Sequence, residues 1–105
     1  MKTILLIGGN SGIGFQAAQT LIDQGHRVLA AVRDGSALEA LGVETQPFDA
    51  LAPTDLTLPD TLDGLAYFPG SINLKPFHRL TAQDFASDYA VNASGAVHCL
   101  SLIHI

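Results

Sequence analysis

The 105-residue sequence has no tryptophan, one cysteine, one methionine and only five lysines and arginines against ten aspartates and glutamates. Each scarcity excludes something. Cys99 has no partner for an internal disulfide, which suits a reducing compartment. A net charge of -5 without a basic run argues against nucleic-acid binding, which needs a positive face to neutralise phosphates. Only four strongly apolar residues, Ile4 to Ile7, precede Gly8, too few for a signal peptide or a membrane span. No membrane partner and a cytoplasmic location are expected. The histidines His26, His78, His98 and His104 show neither H-x-x-x-H nor H-E-x-x-H spacing, so no metal site is expected. Ser11 and Ser71 lack the context of a nucleophile elbow, which disfavours hydrolase chemistry.

What remains is strongly apolar. Hydrophobic residues make up 48% of the chain and the mean hydropathy is +0.30, values of a packed globular chain and not of a disordered one. The length allows one domain at most and is short for a complete doubly wound sheet.

The pattern along the chain alternates strands and helices. Thr3 to Ile7 is apolar enough for a strand buried on both faces. Ile13, Ala17, Leu21 and Ile22 recur at helical spacing from Gly12 to Gln24, and Gly25 stands where a left-handed cap belongs. Arg27 to Val32 reads as a second strand, Ser36 to Leu41 as a short helix capped by Ser36, and Val43 to Phe48 as a third strand near a sheet edge. Leu51 to Leu62, with Pro53 and Pro59, reads as irregular or weakly helical. Leu65 to Phe68 forms a short fourth strand before Pro69-Gly70. Thr81 starts the longest helix, with Asp84 as its capping-box partner, and Phe85, Tyr89, Ala93, Ala96, Leu100 and Ile103 mark one face of it. This order predicts an α/β, Rossmann-like parallel sheet of about four strands with flanking helices and right-handed crossovers.

The segment with the most chemistry is Ile7-Gly8-Gly9-Asn10-Ser11-Gly12-Ile13-Gly14, between the first strand and the first helix. A strand end, a backbone free of side chains and a helix N-terminus together make an anion site, since free N–H groups and the positive end of the dipole face the phosphate. Gly8 permits the tight turn, Gly12 lets backbone approach a pyrophosphate, and Gly14 lets helix pack on strand. A tight turn with no ligand is the plain alternative. No lysine follows the glycines, so a P-loop is excluded.

The spacing G-x-x-x-G-x-G, with Ile13 between the last two glycines, resembles the cofactor turn of the short-chain dehydrogenase/reductase family, T-G-x-x-x-G-[IL]-G. Gly8, Gly12, Ile13 and Gly14 match, while Ile7 replaces the threonine. The resemblance implies a dinucleotide cofactor held by Gly8, Asn10, Ser11, Gly12, Ile13 and Gly14. Val32 stands where NAD-preferring members carry an acid, and Arg33 follows as in many NADP-preferring ones, so NADP(H) is expected over NAD(H). An arginine can pair a phosphate through two parallel hydrogen bonds. A solvated Arg33, or one paired with Asp34, is the alternative.

Asp49-Ala50 falls where the family presents an aspartate to the adenine, although a turn aspartate serving its own backbone reads equally well. Tyr67-Phe68-Pro69-Gly70 aligns with the family's N-N-A-G and keeps only the glycine, which implies a more apolar brace, with Pro69 and Gly70 still able to let backbone approach the cofactor. Val91-Asn92-Ala93 resembles the family's V-N-x segment, in which the asparagine holds a water of the proton relay. A hydrogen bond to nearby backbone would also explain Asn92. Cys99 reads as a small helix-packing residue.

The resemblance runs the length of the chain but matches only about the first half of a family member. The catalytic serine and the Tyr-x-x-x-Lys pair are not present: the fourth residue after Tyr67 is Ser71 and after Tyr89 is Ala93. The implied assignment is a partial NAD(P)-binding domain over residues 1–105, truncated before those residues and inactive alone, from an oxidoreductase acting on a small-molecule carbonyl or alcohol. A non-catalytic nucleotide-binding or oligomerisation module is the alternative. Phe85, Ala96, Leu100 and Ile103 on the last helix are expected to meet water and to favour self-association.

Overall fold

The computed structural model describes residues 1–8, 12–51, 56–69 and 75–101. Four strands, β1 (Thr3–Ile7), β2 (Arg27–Val32), β3 (Glu44–Pro47) and β4 (Gly64–Tyr67), form one sheet in the order β3-β2-β1-β4. All neighbours run parallel, with Ile7 opposite Ala31 on one side and Tyr67 on the other. Helices α1 (Gly12–Asp23) and α2 (Ser36–Glu39) follow β1 and β2. After β4 come a 3-10 turn (Phe77–Arg79), α3 (Ala82–Tyr89), a π turn (Ala90–Ser94) and α4 (Gly95–Ser101). The expected Rossmann-like α/β architecture is present.

β1 and β2 take the centre because both of their faces are apolar. Leu5, Ile7, Leu29 and Ala31 enter one core with Phe48, Ala50 and Cys99. Leu6, Val28, Ala30 and Val32 enter the other with Ala18, Leu38 and Val43. A strand sealed on both sides has no polar face to show, which is why these segments read as continuous apolar runs. Each fully buried Leu or Ile contributes roughly 1.5–3 kcal/mol. The less apolar β3 lies at an edge, as its composition suggests. Arg27 and Glu44 join the starts of β2 and β3 at 2.6 Å.

Several local expectations hold. Gly25 has φ +83 and closes α1 in the left-handed conformation. The Thr81–Asp84 capping box is complete: Asp84 N–H donates to Thr81 Oγ1 at 3.2 Å, and Thr81 N–H to Asp84 Oδ2 at 3.0 Å. Residues 56–62 have no helix; Leu56, Leu58 and Leu62 pack on the first core, and the Gln46 amide holds Thr57 through two hydrogen bonds of 2.6 and 2.8 Å.

Others need correction. Ser36 does not cap α2; Gly35 holds that position without a side-chain bond, and Ser36 is the first helical residue. Ile13 leaves the packing face of α1 and is 82% exposed, because the buried stripe runs through Gly14 and Ala18. The single helix expected from Thr81 is broken by the π turn, whereas the expected exposure of Phe85 and Leu100 to water holds. Phe85, Tyr89 and Leu100 are 56–66% exposed, while Gly95 and Cys99 are buried. An extra residue per turn rotates α4 relative to α3, so one α-helical stripe does not run through both. Ala93 and Ala96 are half-buried, and Ile103 lies outside the described residues.

Candidate functional site

β1 is followed by α1 and β2 on one side, whereas its other neighbour is β4. The crevice at the carboxyl ends of β1 and β4 is therefore the topological switch point, the place where open α/β sheets bind ligands. Gly8 ends β1 there. Its φ is +84, its N–H donates to Ala31 O at 2.8 Å, and an added Cβ would come within 3.3 Å of Phe68 Cβ and 3.4 Å of Pro69 Cδ. The backbone conformation thus favours glycine at this point, and Phe68-Pro69 leaves little room for a side chain. Phe68 N–H in turn donates to Ile7 O at 2.9 Å, which holds Phe68-Pro69 beside the turn.

Gly12 opens α1 with φ +61, and no described atom lies within 4 Å of where its Cβ would be. Here glycine serves backbone conformation, and the space it leaves faces outward. Gly14 is buried in the first turn of α1. That turn carries no acidic side chain, so no carboxylate of its own cancels the positive helix end. Among the described residues, open space at Gly12, its positive φ and a first turn without acid fit a dinucleotide pyrophosphate. Asn10, Ser11 and Gly70 lie outside the described residues.

At the end of β2, Arg33 is exposed and makes no ion pair among the described residues. Asp34 does not occupy it. The Asp34 carboxylate accepts the Ser36 N–H at 3.1 Å and the Ser36 hydroxyl at 2.8 Å. These bonds, the backbone one first, hold its acid below the usual carboxylate range. At the end of β3, Asp49 Oδ1 accepts the Leu51 N–H at 2.9 Å, the turn-forming role that its chemistry allows. Ala50 is buried in the core, so only its backbone is available to a ligand.

The end of β4 departs from expectation. An apolar brace was implied for Tyr67-Phe68, but the Tyr67 hydroxyl donates to Val91 O within the π turn. Burial, and then the nearby Cys99 thiol, push the phenol above its ordinary value; burial pushes Cys99 up as well. Phe48 and the His98 ring stack at 6.5 Å and 27°, joining the end of β3 to α4. Asn92 is exposed and lies in the π turn. The switch point thus gathers Gly8, Phe68 and Pro69, with Tyr67 linking it to the turn that carries Asn92. Tyr67 and Gly95 were not singled out as site residues by sequence. Only a tyrosine in place of an asparagine hinted at them.

Among the described residues no group of three or more His, Cys, Asp or Glu side chains could hold a metal ion. Among them, too, no helix is long and apolar enough to cross a membrane.

No family model and no curated protein matches the sequence. Solved structures do match. Serine dehydrogenase from Escherichia coli superposes with a TM-score of 0.78 at 21% identity, over 95% of this chain and 53% of that one. A short-chain type dehydrogenase/reductase from Mycobacterium ulcerans gives 0.80 at 20% identity, over 96% and 44%. Actinorhodin polyketide ketoreductase, solved with NADPH, gives 0.81 at 18% identity, over 96% and 45%. The chain therefore has the fold of the short-chain dehydrogenases/reductases and spans about half the length of the structures it matches.

Proposed function

We propose that this chain is the NADP(H)-binding part of a short-chain dehydrogenase/reductase and that its 105 residues do not turn over substrate by themselves. The observation that carries the reading is the glycine turn at the switch point, with positive φ at Gly8 and Gly12 and an α1 terminus free of acid. The pyrophosphate would lie against Gly8, Asn10, Ser11, Gly12, Ile13 and Gly14. Arg33 would take a 2′-phosphate, a role supported by its lack of an ion pair among the described residues and by the engagement of Asp34 with Ser36. The Asp49 carboxylate and Ala50 backbone would border the adenine, with Pro69 and Gly70 lining the approach between them and the turn.

The nicotinamide, when bound, supplies or accepts a hydride at a carbonyl or alcohol carbon. Asn92 would hold a water of the proton relay. General acid catalysis needs the Tyr-x-x-x-Lys arrangement, which no tyrosine here completes, and such a group contributes about 10²–10⁴-fold in rate. The ketoreductase neighbour was solved with NADPH, which supports the cofactor class.

A second reading, a nucleotide-binding module that self-associates, is favoured by one observation. Phe85, Tyr89, Val97 and Leu100 turn large apolar surface outward along α3 and α4. Titration of the purified chain with NADPH and NADH, followed by nicotinamide fluorescence, tests the first reading. Saturable binding with NADPH preferred supports it; a folded sample that binds neither dinucleotide refutes it.

A further inference from the structure

The C-terminal helices do not share one register. At the end of α3, Ala90 N–H donates to Ala86 O in ordinary α spacing, and to Ser87 O as well. At Gly95 the N–H reaches back five residues to Ala90 O. The carbonyl it passes over, Val91 O, receives the Tyr67 hydroxyl from the end of β4. In an unbroken α register, Gly95 N–H would take that carbonyl itself. Two donors on different elements thus lie near one oxygen, and in this structure the Tyr67 hydroxyl bonds it while Gly95 N–H turns to Ala90 O.

Residue 95 is shaped for the outcome seen. A Cβ there would collide with Tyr67 Oη and stand 2.8 Å from Ala90 O and 3.2 Å from Ala50 Cβ, so only glycine admits the hydroxyl. Its φ of -61 is ordinary for a helix, so the glycine is there for space and not for conformation. The extra residue in the turn rotates everything downstream by about 100° relative to α3. In that orientation Cys99 is 1% exposed in the core, beside Tyr67 and Val91.

We infer that Tyr67 is a positioning residue: its hydroxyl, admitted by Gly95, holds the π turn and thereby sets which side of α4 meets the sheet and where Asn92 stands. What this means for a proton relay rests on the function proposed above. The control of register does not.

Cys99 is the only thiol in the chain and reports the register directly. Wild type, Tyr67→Phe, Gly95→Ala and the double variant are reacted with an aromatic disulfide reagent at fixed pH in increasing sub-denaturing urea. Losing one hydrogen bond is expected to accelerate Cys99 labelling about tenfold in Tyr67→Phe, with little urea dependence, because α4 turns locally without global unfolding. Gly95→Ala should do the same by displacing the hydroxyl, and the double variant should label no faster than the faster single one. Asn92 side-chain NMR resonances should shift in all three variants.

Unchanged labelling in Tyr67→Phe overturns the inference. So does faster labelling with the urea dependence of global unfolding seen by circular dichroism, since a merely structural tyrosine gives that. Additive singles overturn it as well. If Gly95→Ala fails to fold, Tyr67→Phe, which lacks a single oxygen atom, decides alone. No dinucleotide is needed, so a wild type that binds neither cofactor refutes the proposed function and leaves this test standing.

Discussion

Two glycines on the two sides of the sheet are required for opposite reasons. Gly12, at the start of α1, has open space around its missing side chain but a φ of +61. Gly95, at the start of α4, has ordinary helical backbone but no room, because the Tyr67 hydroxyl fills the place of a Cβ. The first follows from local chain geometry, which a spacing of glycines can announce. The second depends on a residue from another strand, which spacing within the helix cannot encode. The two regions accordingly suit different tasks. Gly12 leaves open space among the described residues at the start of α1, while the α3–α4 arm is fixed from inside by Tyr67 and presents apolar side chains outward.

The sharpest way to break this division is Gly12→Val. A β-branched side chain at positive φ costs on the order of 1–2 kcal/mol, enough to lower Tm by several degrees. It should also abolish saturable binding of both NADPH and NADH by filling the approach to the turn. Intact binding by fluorescence titration would mean that the turn is architecture only.

Arg33→Ala comes next. Hydrogen bonds to charged groups contribute about 1.5–3 kcal/mol, so NADPH affinity should fall tenfold or more while NADH affinity hardly changes. Equal small losses for both would remove Arg33 from the site.

On the other arm, Phe85→Ser combined with Leu100→Ser removes two outward apolar groups, each more than half exposed. Self-association in analytical ultracentrifugation should weaken by about tenfold or more, as two exposed contacts at an interface contribute on the order of 1 kcal/mol each. Dinucleotide binding should not change, and Tm should move little. A wild type that sediments as a monomer at high concentration would leave that surface without the proposed role.

The smallest effect is on alkaline stability. Tyr67 and Cys99 both have folded-state pKa values raised by burial, so the folded chain holds these protons more tightly than the unfolded chain. Their contribution is complete below the ordinary thiol value of about 8.5 and drains away as pH rises through the folded values. Urea midpoints should therefore fall as pH rises above about 8.5. Tyr67→Phe should remove the phenol's share of that slope.

Much of the fold was legible because it is written in short-range patterns. The apolar runs of β1 and β2, Gly25 with φ +83 and the Thr81–Asp84 box each depend on neighbours within a few residues. The positive φ of Gly8 and Gly12 was legible for the same reason. The cap of α2 was misread because serine and aspartate can do the same work, and Asp34 reaches Ser36 instead. The helix from Thr81 was read as unbroken because a stripe assumes a constant 3.6 residues per turn, and the π turn breaks that count.

By itself, then, the sequence determined a parallel sheet with two-sided central strands and glycines of positive φ at the end of β1 and the start of α1. Local sterics and the burial of apolar runs suffice for both. Only the tertiary structure decided that the Tyr67 hydroxyl meets Val91 O, that Gly95 gives it room, and that a π turn parts α3 from α4. The partners in that contact lie 24 residues apart in the chain. The register of a helix can be set by one hydrogen bond from another element, and such a bond exists only once both elements have been brought together.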